Sequence, residues 1–277
     1  MGIFGINYEK EGPGVRKDEP QKKGIRRFSE LLRREFSSLV KVNLAFSLFL
    51  APSLALFIYN YFYAGNSILL LVLAVILAFP VGGAWTAAMY CISIMLLDES
   101  RHVIYDFRRK FKENVIQSSP FGIIYLLFMY LQIYVWTGML FGSISPGFMV
   151  MMLLVVALIL TGMIVPYIFL QIGHLVLKSK DVLKNSIFIA IRYMPKSLLG
   201  ILFSLLHWII SFLFYPLSVW WSPLLLFVGF SLSFLIDLMF IWPPVDLLFS
   251  VGKTIRERRE AELNEITPVF TNLPKFY

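Results

Sequence analysis

The sequence has very few of the residues on which most enzymes and metal sites depend. It contains one cysteine, Cys91, and three histidines among 277 residues, so neither an internal disulfide nor a cysteine metal cluster can form. His102, His174 and His207 lie in different segments without metal-ligand spacing. The sequence also lacks a phosphate-binding glycine loop, His-Glu-x-x-His, Gly-x-Ser-x-Gly and Cys-x-x-Cys. We therefore predict no enzyme activity, no catalytic residue, no metal site and no cofactor.

Charged residues are also scarce, at 15% of the chain against 58% hydrophobic residues, with a mean hydropathy of +0.74. A soluble domain of this length needs far less apolar sequence. A window of about 20 residues, the length that spans roughly 30 Å of hydrocarbon, finds six apolar segments: 42–63, 67–97, 121–141, 148–176, 197–216 and 223–249. The sequence predicts an all-α polytopic membrane protein whose six transmembrane helices form three hairpins joined by amphipathic cytoplasmic elbows.

The positive charges are confined to one set of connections. All 25 Lys and Arg residues lie in four polar stretches, whereas the three short connections between them carry no charge. Because positive residues collect on the cytoplasmic side, we predict a multi-pass plasma-membrane protein with both termini in the cytoplasm. Residues 1–41 would form a cytoplasmic segment with an interfacial helix, 42–250 the transmembrane domain and 251–277 a cytoplasmic tail.

The basic stretches predict contact with lipid headgroups rather than with nucleic acid, because the net charge of +8 lies beside the membrane. Apolar residues recur at spacings of three and four within 25–40, which is typical of an interfacial helix. Residues 101–118 and 182–195 have similar character. Either an elbow and a hairpin repeat three times, or any basic loop between membrane helices looks amphipathic. The predicted surface arginines are Arg26, Arg27, Arg33, Arg34, Arg108 and Arg109.

Asp237 is an acidic residue inside an apolar segment, where an ionised group is costly. Counting inward from the uncharged connections places it about 20 Å deep. Pro80 and the following Val-Gly-Gly predict that the second span breaks and restarts near Ala84, which would expose backbone N–H groups. We expect Asp237 to face the bundle and to point at residues 81–87. The predicted polar layer comprises Asp237, Thr161, Pro80, Gly82, Gly83 and Thr86.

Three roles for Asp237 remain open at this point. It caps the restarted helix, it is protonated and bonds one neighbouring hydroxyl, or it belongs to a solute or proton site. Under the capping hypothesis, Asp237→Leu destabilises the protein and Asp237→Asn is milder. Asp246, near the cytoplasmic boundary, is expected to be hydrated.

The two ends of the chain carry their own predictions. Residues 1–20, with several glycines and prolines, should be mobile or extended unless a partner orders them. Residues 266–277 should pack on the cytoplasmic face or on a partner, because two prolines stop any helix there and apolar side chains lie between and after them.

Several stretches resemble a known family. GPGVRKDEPQKK, then RRFSELLRREFSSLVKVNL, and TAAMY leading to Asp98-Glu99 are similar to the YesL-like integral membrane proteins of Gram-positive bacteria. PVGGAWTAAMY departs from the shorter Gly-Pro-Ala-Thr-Ala-Ala stretch expected in that family. The resemblance implies no assigned reaction, and it implies an accessory role beside carbohydrate-uptake ABC transporters.

Two functions follow from these observations. The first is a non-catalytic accessory protein that associates with ABC transporter subunits or another membrane partner. The second is a transporter of a small solute or lipid with an intramembrane site at Asp237. A transport path needs polar groups at several depths, whereas an accessory protein needs only enough of them to fix helix packing. The few polar residues inside the predicted spans favour the accessory protein.

Overall fold

A computed structural model describes residues 24–99, 102–143, 145–214, 221–257 and 261 of the chain. Within those residues, all regular structure is α-helical, which confirms the predicted all-α fold. The helices are α1 Gly24–Arg34, α2 Phe36–Phe62, α3 Ile68–Leu77, α4 Val81–Leu96, α5 Val103–Leu140, α6 Phe148–His174, α7 Ser179–Arg192, α8 Met194–Phe214 and α9 Trp221–Phe249. A short helical stretch follows at 251–257. The predictions for 1–20 and 266–277 lie outside the described residues.

Five spans in the described part of the chain are long and apolar enough to cross a membrane. They are α2, α3 together with α4, α5, α6 and the part of α9 from Phe227 onward. The pair α7 and α8, which is bent by 92°, makes a sixth if the two helices are counted as one span. The predicted multi-pass architecture is therefore confirmed. We call the end of the bundle that carries α1, α7 and 251–257 the basic side, and the end with the connections 63–67 and 141–147 the loop side.

The elbow between the first two hairpins differs from the prediction. Residues 103–118, expected to lie apart from the third span, are the first part of the continuous helix α5. Pro120 removes one backbone hydrogen bond from this helix without ending it. The helix continues through Pro120 because it packs on α4 on both sides of the proline, at Val115 and at Gly122.

The elbow between the last two hairpins is a true bend. α7 and α8 meet at Tyr193 at an angle of 92°. The buried face of α7, with Val182, Ser186 and Ile189, repeats at helical spacing. Ser186 Oγ accepts a hydrogen bond of 2.8 Å from Gln171 Nε2 of α6. α7 is thus fixed against the basic-side end of α6 before α8 enters the bundle.

The second span breaks at Pro80, as its proline predicts, and restarts at Val81 rather than near Ala84. The two glycines that follow Pro80 allow a close helix crossing. A Cβ on Gly122 would lie 2.7 Å from Gly82 Cα, and one on Gly83 would lie 3.0 Å from Val115 Cα. Small residues at such crossings let helix backbones approach each other in a membrane. α4 is consequently buried along nearly its whole length.

Gly82→Ala tests this crossing. An added Cβ would lie 2.6 Å from the Ser118 carbonyl carbon, so the backbone of α4 or α5 has to move. We expect a loss of about 2 kcal/mol of unfolding free energy, as in overpacked cores. Heating in detergent with a maleimide dye measures it, because Cys91 is buried and is the chain's single cysteine.

Gly147→Ala is the matched control, since its Cβ would meet no atom within 4 Å. Equal unfolding temperatures for the two alanine variants would contradict the close crossing.

α1 is held to the basic-side end of α4 by an arginine that the sequence placed on the membrane surface. Arg27 is only 7% exposed. Its Nη2 donates to the Leu96 carbonyl at 2.9 Å and to Asp98 Oδ2 at 2.7 Å. Arg34 also donates to Asp98. Partial burial lowers the pKa of Arg34, but the interactions with Asp98 outweigh it and leave that pKa raised. The membrane-surface assignment of Arg27 is therefore corrected to a buried ion pair.

Arg27→Ala should release α1 from α4. Loss of its charged hydrogen bonds removes about 2 kcal/mol from the local stability of this contact. Hydrogen–deuterium exchange of residues 25–35 should accelerate correspondingly. Arg26→Ala is the control because Arg26 is exposed on the same helix, and unchanged exchange in Arg27→Ala would contradict the anchoring role.

Candidate functional site

The bundle contains a partly open cavity of about 450 Å³. This volume lies within the usual range for small-molecule sites. Side chains from α2, α4, α5, α6, α8 and α9 line it, and most of them are aliphatic or aromatic. The polar groups of the lining are the hydroxyls of Tyr125, Tyr130, Ser204 and Ser233, the indole nitrogens of two tryptophans, and the carboxylate of Asp237.

Asp237 lies at the deep end of this cavity. α9 runs from the loop side to the basic side, and Asp237 is its last lining residue in that direction. The corresponding residues of the neighbouring helices are Trp85, Tyr125, Pro166 and Ile201. The cavity therefore extends from a floor within the bundle toward the loop side, with the carboxylate on the floor.

Aromatic rings build that floor. The Trp85 ring stacks on Phe169 with centroids 4.8 Å apart and meets Tyr125 edge to face at 5.1 Å. Phe234 lies against the other side of Trp85, with ring centroids 5.4 Å apart. Trp85 Nε1 is buried and has no hydrogen-bond partner in the structure. The floor is thus rigid, aromatic and poor in polar partners.

Asp237 approaches α8 rather than the start of α4. A Cβ on Gly200 would lie 3.6 Å from Asp237 Oδ1, and no hydrogen bond joins the carboxylate to residues 81–87 in the described part of the chain. The break at Pro80 is supported differently, because Ser119 Oγ donates to the Phe79 carbonyl at 2.6 Å. Asp237 faces the bundle as expected, but α4 begins without it.

The other members of the predicted polar layer serve packing. Thr161 donates to the carbonyl oxygen of Ala157 in its own helix at 2.7 Å and does not line the cavity. Gly82 and Gly83 form the crossing with α5 that follows Pro80. Thr86 is fully buried and its hydroxyl has no partner in the structure. The six residues therefore do not form one site.

Asp246, which the sequence predicted to be hydrated, is partly exposed and also has a backbone partner. Its Oδ1 accepts a hydrogen bond of 2.6 Å from the backbone N–H of Gly252. Ser250, between the two, has a φ of 50°, so the chain turns sharply there. Asp246 thus fixes the turn from α9 into the helical stretch 251–257.

The remaining predicted surface arginines lie on the basic side. Arg26, Arg33 and Arg108 are exposed. Arg109 pairs with Asp106 at 2.9 Å, one helical turn earlier on α5. Single exposed pairs of this kind contribute little stability. These arginines therefore mainly add positive charge to the surface of the basic side.

The histidines occupy separate places. His174 Nε2 lies 2.6 Å from Ser93 Oγ, and its ring packs against Tyr90 and Trp242. His207 lies beside Trp208 on α8, and His102 precedes α5. In the part of the chain that the structure describes, no group of three His, Cys, Asp or Glu side chains could hold a metal ion.

Sequence reasoning missed most of the cavity lining. Trp85, Tyr125, Ser204 and Trp208 come from three helices, and their spacing along the chain carries no sign that they meet. Gly200 offered one signal, because a glycine within an apolar helix often marks close approach of another element. The partner of that approach, Asp237, is known only from the structure.

The chain is a polytopic α-helical membrane protein with an internal cavity that contains one carboxylate. Comparison with protein-family models, with curated proteins and with solved structures finds no match. The YesL-like resemblance stays a prediction that depends on the motifs quoted above.

The expected effect of Asp237→Leu on stability is opposite to the one that the capping hypothesis predicts. The carboxylate caps no helix, and apart from the Ser204 hydroxyl its surroundings are mainly apolar. Leucine loses that one contact but removes a desolvation cost of about 3 kcal/mol for an ionised group at mid-membrane. We expect an unfolding temperature equal to or above that of the unmodified protein. Maleimide labelling of Cys91 on heating measures it.

Asp246→Leu is the control on the same helix. Loss of the bond to Gly252 should lower stability by about 1 kcal/mol. Strong destabilisation by Asp237→Leu would restore the idea that this carboxylate holds the fold together.

Proposed function

We propose that the protein is a non-catalytic accessory protein of the plasma membrane that associates with a membrane partner. The observation that carries the proposal is that polar side chains within the spans form hydrogen bonds between helices. Several of them bond from one helix to another, as expected of side chains that fix helix packing.

Three contacts illustrate this use. Ser53 Oγ donates to the Ala74 carbonyl at 2.6 Å and lies 2.7 Å from Tyr130 OH, which joins α2, α3 and α5. Tyr167 OH and Ser197 Oγ, 3.0 Å apart, join α6 and α8. Asn43 Oδ1 of α2 accepts backbone N–H bonds from α9 at 2.9 and 3.0 Å. Polar bonds between helices of this kind fix packing in a membrane.

The orientation in the membrane is part of the proposal. The Lys and Arg residues that the structure describes all lie on the basic side, and positive residues collect in the cytoplasm. The basic side then faces anionic headgroups of the inner leaflet. A cytoplasmic partner or a partner within the bilayer meets the protein there.

The elbow helix α7 is the surface we assign to that partner. One face packs on α6, while the opposite face exposes Leu183, Phe188 and Ile191, the last at 65% of its area. Lys180 and Lys184 are exposed on the same face. The resemblance to YesL-like proteins supports subunits of a carbohydrate-uptake ABC transporter as the partner.

Purification of the tagged full chain from its own cells in mild detergent tests the proposal. We expect ABC transporter subunits to co-elute with it. Ile191→Gln should lower their recovery about fivefold, as loss of one interface contact of about 1 kcal/mol does. Ile104→Gln is the matched control, since Ile104 is 52% exposed near the start of α5, away from α7. A clean monomer with no transporter subunits would refute the accessory role.

A second candidate is transport of a small solute or lipid, which one observation favours: the carboxylate of Asp237 faces the cavity. The two candidates separate in liposomes that contain only this protein. Protein-dependent movement of a solute supports transport, and its absence together with co-elution supports the accessory role.

A further inference from the structure

The cavity combines a long apolar wall with a single acidic group at its floor. Among its lining residues no Lys, Arg or His side chain faces the carboxylate of Asp237. A carboxylate in such surroundings gains most from a ligand that brings hydrogen-bond donors or a positive charge. The cavity therefore fits a ligand with a donor or cation at one end and an apolar body.

The aromatic lining favours a cation in particular. Tyr125 and Phe234 line the cavity at the floor beside Asp237, and the faces of such aromatic rings attract an ammonium group. A phosphate or carboxylate head group would meet Asp237 without any balancing cation. Phospholipid head groups are disfavoured for the same reason.

The length of the cavity limits the ligand body. On α9 the lining runs from Phe230 to Asp237, and on α8 it runs from Ile201 to Trp208. At 1.5 Å per residue these stretches span about 10 Å. A single apolar chain of roughly eight to ten carbons has this length.

The cavity also reaches the apolar surface of the bundle. Ile133 and Leu205 line it toward the loop side, and they are 38% and 45% exposed. Both belong to spans whose outward faces are apolar. A hydrophobic ligand dissolved in the bilayer can enter there without crossing polar loops.

We propose that the cavity is a binding site for a single-chain lipophilic amine whose ammonium group pairs with Asp237 and whose chain lies along Trp85 and Trp208 toward Leu205. The site requires neither a partner protein nor transport, so it goes beyond the function proposed above. An absence of amine binding would therefore refute this site without bearing on the accessory function, and an absence of co-eluting partners would leave the site untouched.

Equilibrium dialysis of radiolabelled decylamine tests the site, with the full chain in lipid nanodiscs and empty nanodiscs subtracted. We expect one saturable site per chain. Unlabelled decylamine should compete, whereas decanoic acid and a single-chain phosphatidylethanolamine should compete at least tenfold less well. Equal competition by decanoic acid would overturn the role of the carboxylate.

Two variants separate the site from the fold. Asp237→Asn keeps the shape of the side chain and removes its charge, so affinity should fall at least tenfold. Leu205→Trp should block the cavity, while Leu206→Trp, at the next position and similarly exposed, lies outside the lining and should bind normally. Equal binding by all three variants, or no saturable binding by the unmodified protein, would refute the site.

Discussion

The close contact between α4 and α5 at Gly82 and Gly122 is the constraint on which the rest of the bundle depends. Without side chains at the crossing, α4 approaches α5 until backbone touches backbone. α4 then lies deep enough for α2, α6 and α9 to pack around it as well. The break at Pro80 separates α3, whose one buried residue is Ala74, from α4, which is buried along nearly its whole length. A residue as small as alanine at Gly82 would push these helices apart.

Packing around a helix of small residues also explains the cavity. A Cβ on Gly162 of α6 would lie 3.2 Å from Ile201 of α8, and one on Gly200 of α8 would lie 3.6 Å from Asp237 of α9, so these helices pack closely at both glycines. Polar bonds hold α6 against α8 at Tyr167 and Ser197, on the basic side of the cavity. α6 and α8 are thus joined on the basic side of the cavity and are separated by the cavity toward the loop side. This difference in packing opens the cavity toward the loop side.

Composition predicted the helical class and the multi-pass architecture, because both depend on properties summed over many residues. Residues 103–118 were misjudged, since an amphipathic start of α5 and a separate elbow have the same periodicity. Arg27 was assigned to the surface for a related reason. Its partners Leu96 and Asp98 are about 70 residues away in the chain, and helix periodicity carries no information on contacts of that range. The meeting of Asp237 with Gly200 was hidden in the same way.

Asp237 is the residue whose presence the fold explains least. The other acidic residues near the bundle have structural partners: Asp98 joins α1 to α4, and Asp246 fixes the turn after α9. Asp237 has the hydroxyl of Ser204 beside it but no charged partner in the cavity lining, and it sits where a carboxylate costs stability. Residues that cost stability without supporting the fold occur mainly where function requires them. The aromatic floor, the absence of a basic partner in the lining and the opening beside Leu205 all give that function the same form, recognition of a cationic group that arrives on an apolar chain.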